Sequence, residues 1–209
     1  MPLIDKPVSQ FLDELASDAP APGGGSVAAL TGALGAALVS MVCNLTVGRK
    51  KYAEVEDEIR KVLDRSESLR VELGRLIEED VSAFNRVSEA MKMPRDTEEQ
   101  KAVRQDAVQK ALKAATEVPM QVAAACTRVI ELCEPVANMG NINAVSDAGV
   151  AVLMAEAALK SAALNVMINL AWIEDKGFVD EYNTRLTELL AGQSDVKDDV
   201  YKLVISKLQ

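Results

Sequence analysis

An all-α fold, built as one helical bundle with long helices over residues 1–209, follows from three features of the sequence. Apolar residues recur at intervals of three and four through most of the chain, which places them on one face of a 3.6-residue helix. No run alternates apolar and polar residues with the period of two that a half-buried strand needs. Proline and glycine fall mostly between the periodic segments, and no repeat, low-complexity stretch or linker divides the chain.

The elements read in order. After Pro7, VSQFLDELAS is a short amphipathic helix that stops before DAPAP. From Ala19 to Gly48 no residue is charged, in a chain that is 26% charged overall. Within that stretch Ser26 is the expected N-cap of a small-residue helix running to Val47, with Gly48 ending it. A membrane span is disfavoured, because the segment is rich in Ala and Gly, contains Ser, Thr and Asn, and has no flanking aromatic belt. A single long helix is expected from Tyr52 until Pro94, with one stripe through 55, 59, 62, 66, 69, 73, 76, 80, 84, 87 and 91. Asp96 and Glu99 have capping-box spacing for the next helix, whose stripe runs through 108, 112, 115, 119, 122, 126, 129 and 133. Pro119 lies inside it and is expected to kink or split it. EPVANMGNINAVSDAG reads as the least helical segment, followed by an apolar helix from about Asp147 to Ile173 and two short amphipathic helices broken near Gly192.

Composition removes whole classes of function. A formal net charge of −9 argues against nucleic acid or an anionic membrane as partner. The absence of histidine removes the commonest general base, the Ser-His-Asp triad and most zinc sites, so no metal site is expected. Cys43, Cys126 and Cys133 lie in apolar helical sequence and read as buried structural thiols, which points to a reducing, cytoplasmic setting. The opening MPLIDKPVSQ lacks the basic-then-apolar pattern of a secretory signal.

Three features invite chemistry, each with a plainer alternative. Gly23, Gly24 and Gly25 lead into a helix N-terminus whose backbone N–H groups are suited to an anionic or carbonyl group; equally, they form a hinge before a capped helix. No Gly-Lys-Ser/Thr follows, so this is not a P-loop. Asp80 falls on the apolar stripe of the long helix, where a carboxylate needs either a buried cationic partner or a task. On the last long helix Asp147, Ser161, Asn165 and Asn169 fall within about 80° of one another. Glu156 and Lys160 lie opposite as an exposed pair. The amide line reads as a pocket wall or as bridges to neighbouring helices, with Asn138, Asn141 and Asn143 just upstream.

The blocks PAPGGGSVAALTGALGAALVSMV, TVGRKKY, LIEEDVSAFNRV, GNINAVSDAGVAVL and SAALNVMINL together resemble the formiminotransferase-cyclodeaminase family. The likeness is greatest to its stand-alone members, which act as methenyltetrahydrofolate cyclohydrolases. It implies an all-helical homodimer with a folate site near the subunit interface, and no cofactor beyond the tetrahydrofolate substrate. Matched block by block, it implies a site formed by Gly23, Gly24, Gly25 and Ser26; by Lys50, Lys51 and Tyr52; by Asp80 and Phe84; by Asn141, Asn143, Ser146 and Asp147; and by Asn165 and Asn169. Arg49 is a mild departure where related sequences often carry Lys. On this reading 5,10-methenyltetrahydrofolate is hydrolysed with Asp147 as base or water-orienting group and Asp80 as second carboxylate. Asn165 and Asn169 hold the pterin edge, and Lys50 or Lys51 meets the glutamate carboxylates. Formimidoyltetrahydrofolate cyclodeamination is the alternative activity, and a non-catalytic helical interaction module the alternative of another class. The helix between the glycines and the lysines is about 30 Å long. Either a second copy brings its lysines to the glycines, or only one end belongs to the site.

Overall fold

The computed structural model describes residues 1–209 and contains seven α-helices and no strand. They are α1 (Val8–Leu15), α2 (Gly24–Thr46), α3 (Glu56–Met91), α4 (Glu98–Met139), α5 (Val145–Leu170), α6 (Lys176–Leu190) and α7 (Gln193–Leu208). Short 3₁₀ turns lie at Leu3–Asp5, Lys50–Val55 and Ile142–Ala144.

Helices α2 to α5 form an antiparallel four-helix bundle in which each packs on the next and α5 returns to α2. Side-chain pairs fix the directions. Ser26 of α2 meets Asp80 of α3, whereas Ser40 meets Ser66. Arg128 of α4 pairs with Glu72 of α3, while Arg104 reaches Met91. Asn169 at the end of α5 meets Ala115 of α4. Gly24 at the start of α2 lies against Asn165, and Gly35 against Ala151 and Ala155, so α2 and α5 also run in opposite senses. A Cβ on Gly35 would stand 3.1 Å from the Ala151 carbonyl oxygen, which explains why α2 carries such small residues. The core draws on all seven helices, from Phe11 of α1 to Val204 of α7.

Several sequence expectations are corrected here. Helix α2 starts at Gly24 with Gly23 as N-cap, so Ser26 sits in the first turn, fully buried, and is no cap. The chain takes a 3₁₀ turn over Lys50–Val55, so α3 begins at Glu56. The capping box is Thr97 with Gln100 rather than Asp96 with Glu99. Helix α4 runs from Glu98 to Met139 through both Pro119 and Pro135, so Pro119 does not split it, and Glu134–Met139 of the segment read as least helical form its end. Glu156 is not exposed. It is 9% accessible and paired with Lys160, and it accepts from the Ser194 hydroxyl at 3.0 Å, which ties α7 to α5. All three cysteines are buried, free thiols. By length and hydropathy α2 and the Ile142–Leu170 segment each match a membrane span, but much of each is buried against neighbouring helices.

Candidate active site

A cavity of about 340 Å³ lies where the start of α2, the second half of α3, the first half of α4 and the end of α5 converge. Gly23, Gly24, Gly25, Asp80, Phe84, Asn165 and Asn169 all line it. These are the sequence candidates from three separate blocks, gathered by the antiparallel packing of α2 on α3 and α5.

Asp80 is its chemical centre. No cation of the chain pairs with it, so the buried ion pair that was its plainer explanation is absent. Instead the buried Ser26 hydroxyl donates to Asp80 Oδ2 at 2.8 Å, and the other oxygen lies over Gly25. A Cβ on Gly25 would overlap Asp80 Oδ1, so the glycine is what leaves room for the carboxylate. Burial pushes the Asp80 carboxyl above its ordinary value, and the Ser26 hydroxyl and backbone N–H offset part of that rise. The result is a desolvated carboxylate suited to accept a proton or face a cation. Ser26 itself is buried, so it acts on Asp80 and not on a ligand.

The two amides are each half engaged. Asn165 Nδ2 donates to the Ser161 carbonyl one turn earlier, at 2.8 Å. Asn169 Nδ2 donates across to the Ala115 carbonyl of α4 at 3.1 Å. Ala115 lies four residues before Pro119, whose missing N–H leaves that carbonyl without its helical partner. Asn169 therefore repairs the gap that Pro119 makes, and for this residue both alternatives drawn from the sequence hold at once, a bridge between helices and a pocket wall, whereas Asn165 lines the pocket without bridging. Phe84, 42% accessible, offers an aromatic surface one turn from Asp80. Trp172, the chain's single tryptophan, and Ile168 complete the rim. Neither is among the sequence candidates, although a helix running to Ile173, as the sequence reads, puts Trp172 seven residues after Asn165 on the same face; in the structure α5 ends at Leu170 and Trp172 lies in the turn after it.

The remaining candidates lie at the other end of the bundle. From Asp147 to Asn165 α5 rises about 27 Å, so Asp147 and Asp80 do not meet within one chain. Lys50, Lys51, Tyr52, Asn141, Asn143, Ser146 and Asp147 gather where α2 ends and α5 begins. Part of that cluster is structural. Asn141 N–H donates to Thr46 Oγ1 and its amide to the Leu45 carbonyl, both at 2.8 Å. Its Oδ1 accepts from Asn143 N–H, while Tyr52 Oη accepts from Ile142 N–H at 3.0 Å. Together they hold the Ile142–Ala144 turn to the end of α2. Lys50, Lys51, Asn143 and Ser146 are exposed.

Comparison with known proteins places this arrangement. The family model for formiminotransferase-cyclodeaminase matches residues 7–188. A methenyltetrahydrofolate cyclohydrolase of Methylorubrum extorquens is 51% identical over 201 residues, covering 96% of this chain and 97% of that protein. A formimidoyltransferase-cyclodeaminase of Gallus gallus is 37% identical over 188 residues, 90% of this chain but 35% of that longer protein. A crystal structure of formiminotetrahydrofolate cyclodeaminase from Thermotoga maritima superposes with a TM-score of 0.80 at 32% identity, covering 98% of this chain and 96% of that one. The chain belongs to the formiminotransferase-cyclodeaminase family.

Proposed function

We propose that this protein is a methenyltetrahydrofolate cyclohydrolase, which adds water to 5,10-methenyltetrahydrofolate and yields 10-formyltetrahydrofolate. The observation that carries the reading is a cationless, half-buried Asp80 in a cavity walled by amides and an aromatic ring. The 51% identity to a cyclohydrolase over nearly the whole of both chains supports it. The substrate is a cation whose charge is shared over N5, the bridging carbon and N10. A desolvated carboxylate stabilises that charge and accepts the proton of the attacking water. The carbon–oxygen bond forms, the bond from carbon to N5 breaks as N5 takes a proton, and the formyl group stays on N10. The free acceptor oxygens of Asn165 and Asn169 face the donors of the pterin edge. The chemistry requires no metal or second cofactor, and the same proposal places it in the cytoplasm.

The second cluster enters this proposal through a second copy. Leu34, Met41 and Leu45 on α2 and Val150, Leu153 and Ile168 on α5 are exposed along one face. An unpartnered apolar face of this kind marks an interaction surface. A two-fold axis across its middle reverses the helices and carries the partner's Lys50, Lys51 and Asp147 toward the cavity. The parallel alternative sets two copies of Arg49, Lys50 and Lys51 against each other.

Loss of the near-ultraviolet absorbance of methenyltetrahydrofolate tests the activity, with Asp80→Asn expected to slow turnover by ~10²-fold or more. Co-expressed Asp80→Asn and Asp147→Asn chains are expected to regain about a quarter of wild-type activity through mixed dimers. No regain, or a monomer by light scattering, removes the shared site. The Thermotoga structure favours cyclodeamination as the second reading, and release of ammonia from formimidoyltetrahydrofolate decides it.

A further inference from the structure

Asp80, Phe84, Val87 and Met91 follow one another along α3 and all line the cavity. From first to last they span about 16 Å at ~1.5 Å per residue. Along that line the chemistry changes in order: carboxylate and amides, then aromatic and aliphatic surface, then cations just past Met91. Most basic side chains of this acidic chain are in ion pairs. Those without a carboxylate within 4.0 Å fall mainly into two groups, Arg49, Lys50 and Lys51 at one end, and Arg86, Lys92, Arg95 and Arg104 at the other. Arg104 is half-buried, and its Nε donates to the carbonyl of Met91, the last of these cavity-lining residues, at 3.0 Å, which seats the guanidinium beside that end of the cavity, in a neighbouring recess. Its two terminal nitrogens have no ion partner. Arg95 shares a recess with it, while Lys101 in the same recess is already paired with Glu98. A guanidinium anchored through Nε offers a fork to which a carboxylate binds bidentately.

We infer that Arg104 and Arg95 receive the carboxylates of the glutamyl tail of a folate whose pterin lies against Asp80. This rests on the folate reading given above, since the polarity order along α3 is that of a pterin, an aminobenzoyl ring and an anionic tail. It replaces the expectation that Lys50 or Lys51 serves the tail. Those lysines stand at the far end of α2, and a second copy on the α2–α5 face approaches the cavity by Asn165 and Ile168, away from Met91.

The test compares mono- and triglutamyl methenyltetrahydrofolate at low ionic strength. In the wild type KM is expected to be about tenfold lower for the triglutamyl form with kcat unchanged, a gain that salt erodes. Arg95→Gln/Arg104→Gln is expected to bring the ratio to about one while retaining kcat. Arg95→Gln alone, an exposed side chain without an ion partner, is expected to lose about threefold of that gain and covers a folding defect in the double variant. Quenching of Trp172 fluorescence by p-aminobenzoyl mono- and triglutamate should give the same ordering without catalysis. A wild-type ratio of one, a ratio preserved in the double variant, or an equal loss in Lys50→Gln/Lys51→Gln overturns the inference. Absence of wild-type turnover on the monoglutamyl substrate counts instead against the cyclohydrolase reading, and the quenching experiment then still decides the rim.

Discussion

Replacing Asn169 by Ala tests whether its first task is to complete helix α4. The Ala115 carbonyl has lost its helical donor to Pro119 and accepts from Asn169 Nδ2 at 3.1 Å. An acceptor left unpaired in a buried setting costs about 1–3 kcal/mol. Ala115 lines the cavity, so water can partly replace the amide, and the low end, about 1 kcal/mol, is expected. In a protein of this length that lowers the thermal midpoint by about 2–4 °C. Pro119→Ala restores an N–H at position 119, which can close the ordinary helical bond to the same carbonyl. In that background Asn169→Ala should cost almost nothing. The four proteins of this cycle are compared by urea denaturation, and a coupling energy near 1 kcal/mol is expected. Equal costs for Asn169→Ala in both backgrounds, within about 0.5 kcal/mol, refute the reasoning. They would show that the amide contributes nothing specific to the carbonyl that the proline orphans.

Three further outcomes follow from the surroundings of Asp80. Its folded-state pKa is raised by burial, so ionisation weakens the fold as pH rises through that value. Asp80→Asn should therefore raise the thermal midpoint at pH 7 while depressing turnover, and the stability gain should shrink as the buffer is made acidic. Ser26→Ala removes a hydroxyl that favours the ionised form, so the acidic limb of the pH–rate profile should move to higher pH, with retained folding verified by circular dichroism. An unmoved limb would deny Ser26 its positioning role. Gly25→Ala should displace Asp80 and cost roughly 1–3 kcal/mol in denaturant titrations, as overpacking does. Gly24→Ala, whose Cβ would meet Asn165 at an ordinary 3.5 Å, should cost far less.

The helices were legible because burial on one side of a helix writes itself into the sequence at intervals of three and four, and the stripes found for α3 and α4 are largely the buried ones. Asp80 stood out for the same reason, as a carboxylate in an apolar register. Local chemistry was less decisive at helix ends. Glycine tolerates both cap and first-turn conformations, so α2 starts ahead of Ser26 and leaves that hydroxyl free for Asp80.

Three differences between the sequence reading and the structure share a deeper cause. Asp147 and Asn165 share a helix face by angle, but periodicity carries no information about the roughly 27 Å between them along the axis. Glu156 looked exposed because nothing in α5 says which side α7 will cover, and that choice belongs to helices packed from distant parts of the chain. Pro119 is the clearest case. Its own chemistry predicts a kinked or split helix, yet α4 continues past it, and an amide 50 residues later in the chain, on the neighbouring helix α5, donates to the orphaned carbonyl. Periodicity and composition settle which residues are helical and which face is apolar. Which polar groups meet is decided by the packing of α2 on α3 and of α4 on α5, because hydrogen bonds between helices depend on position along the axis as well as around it.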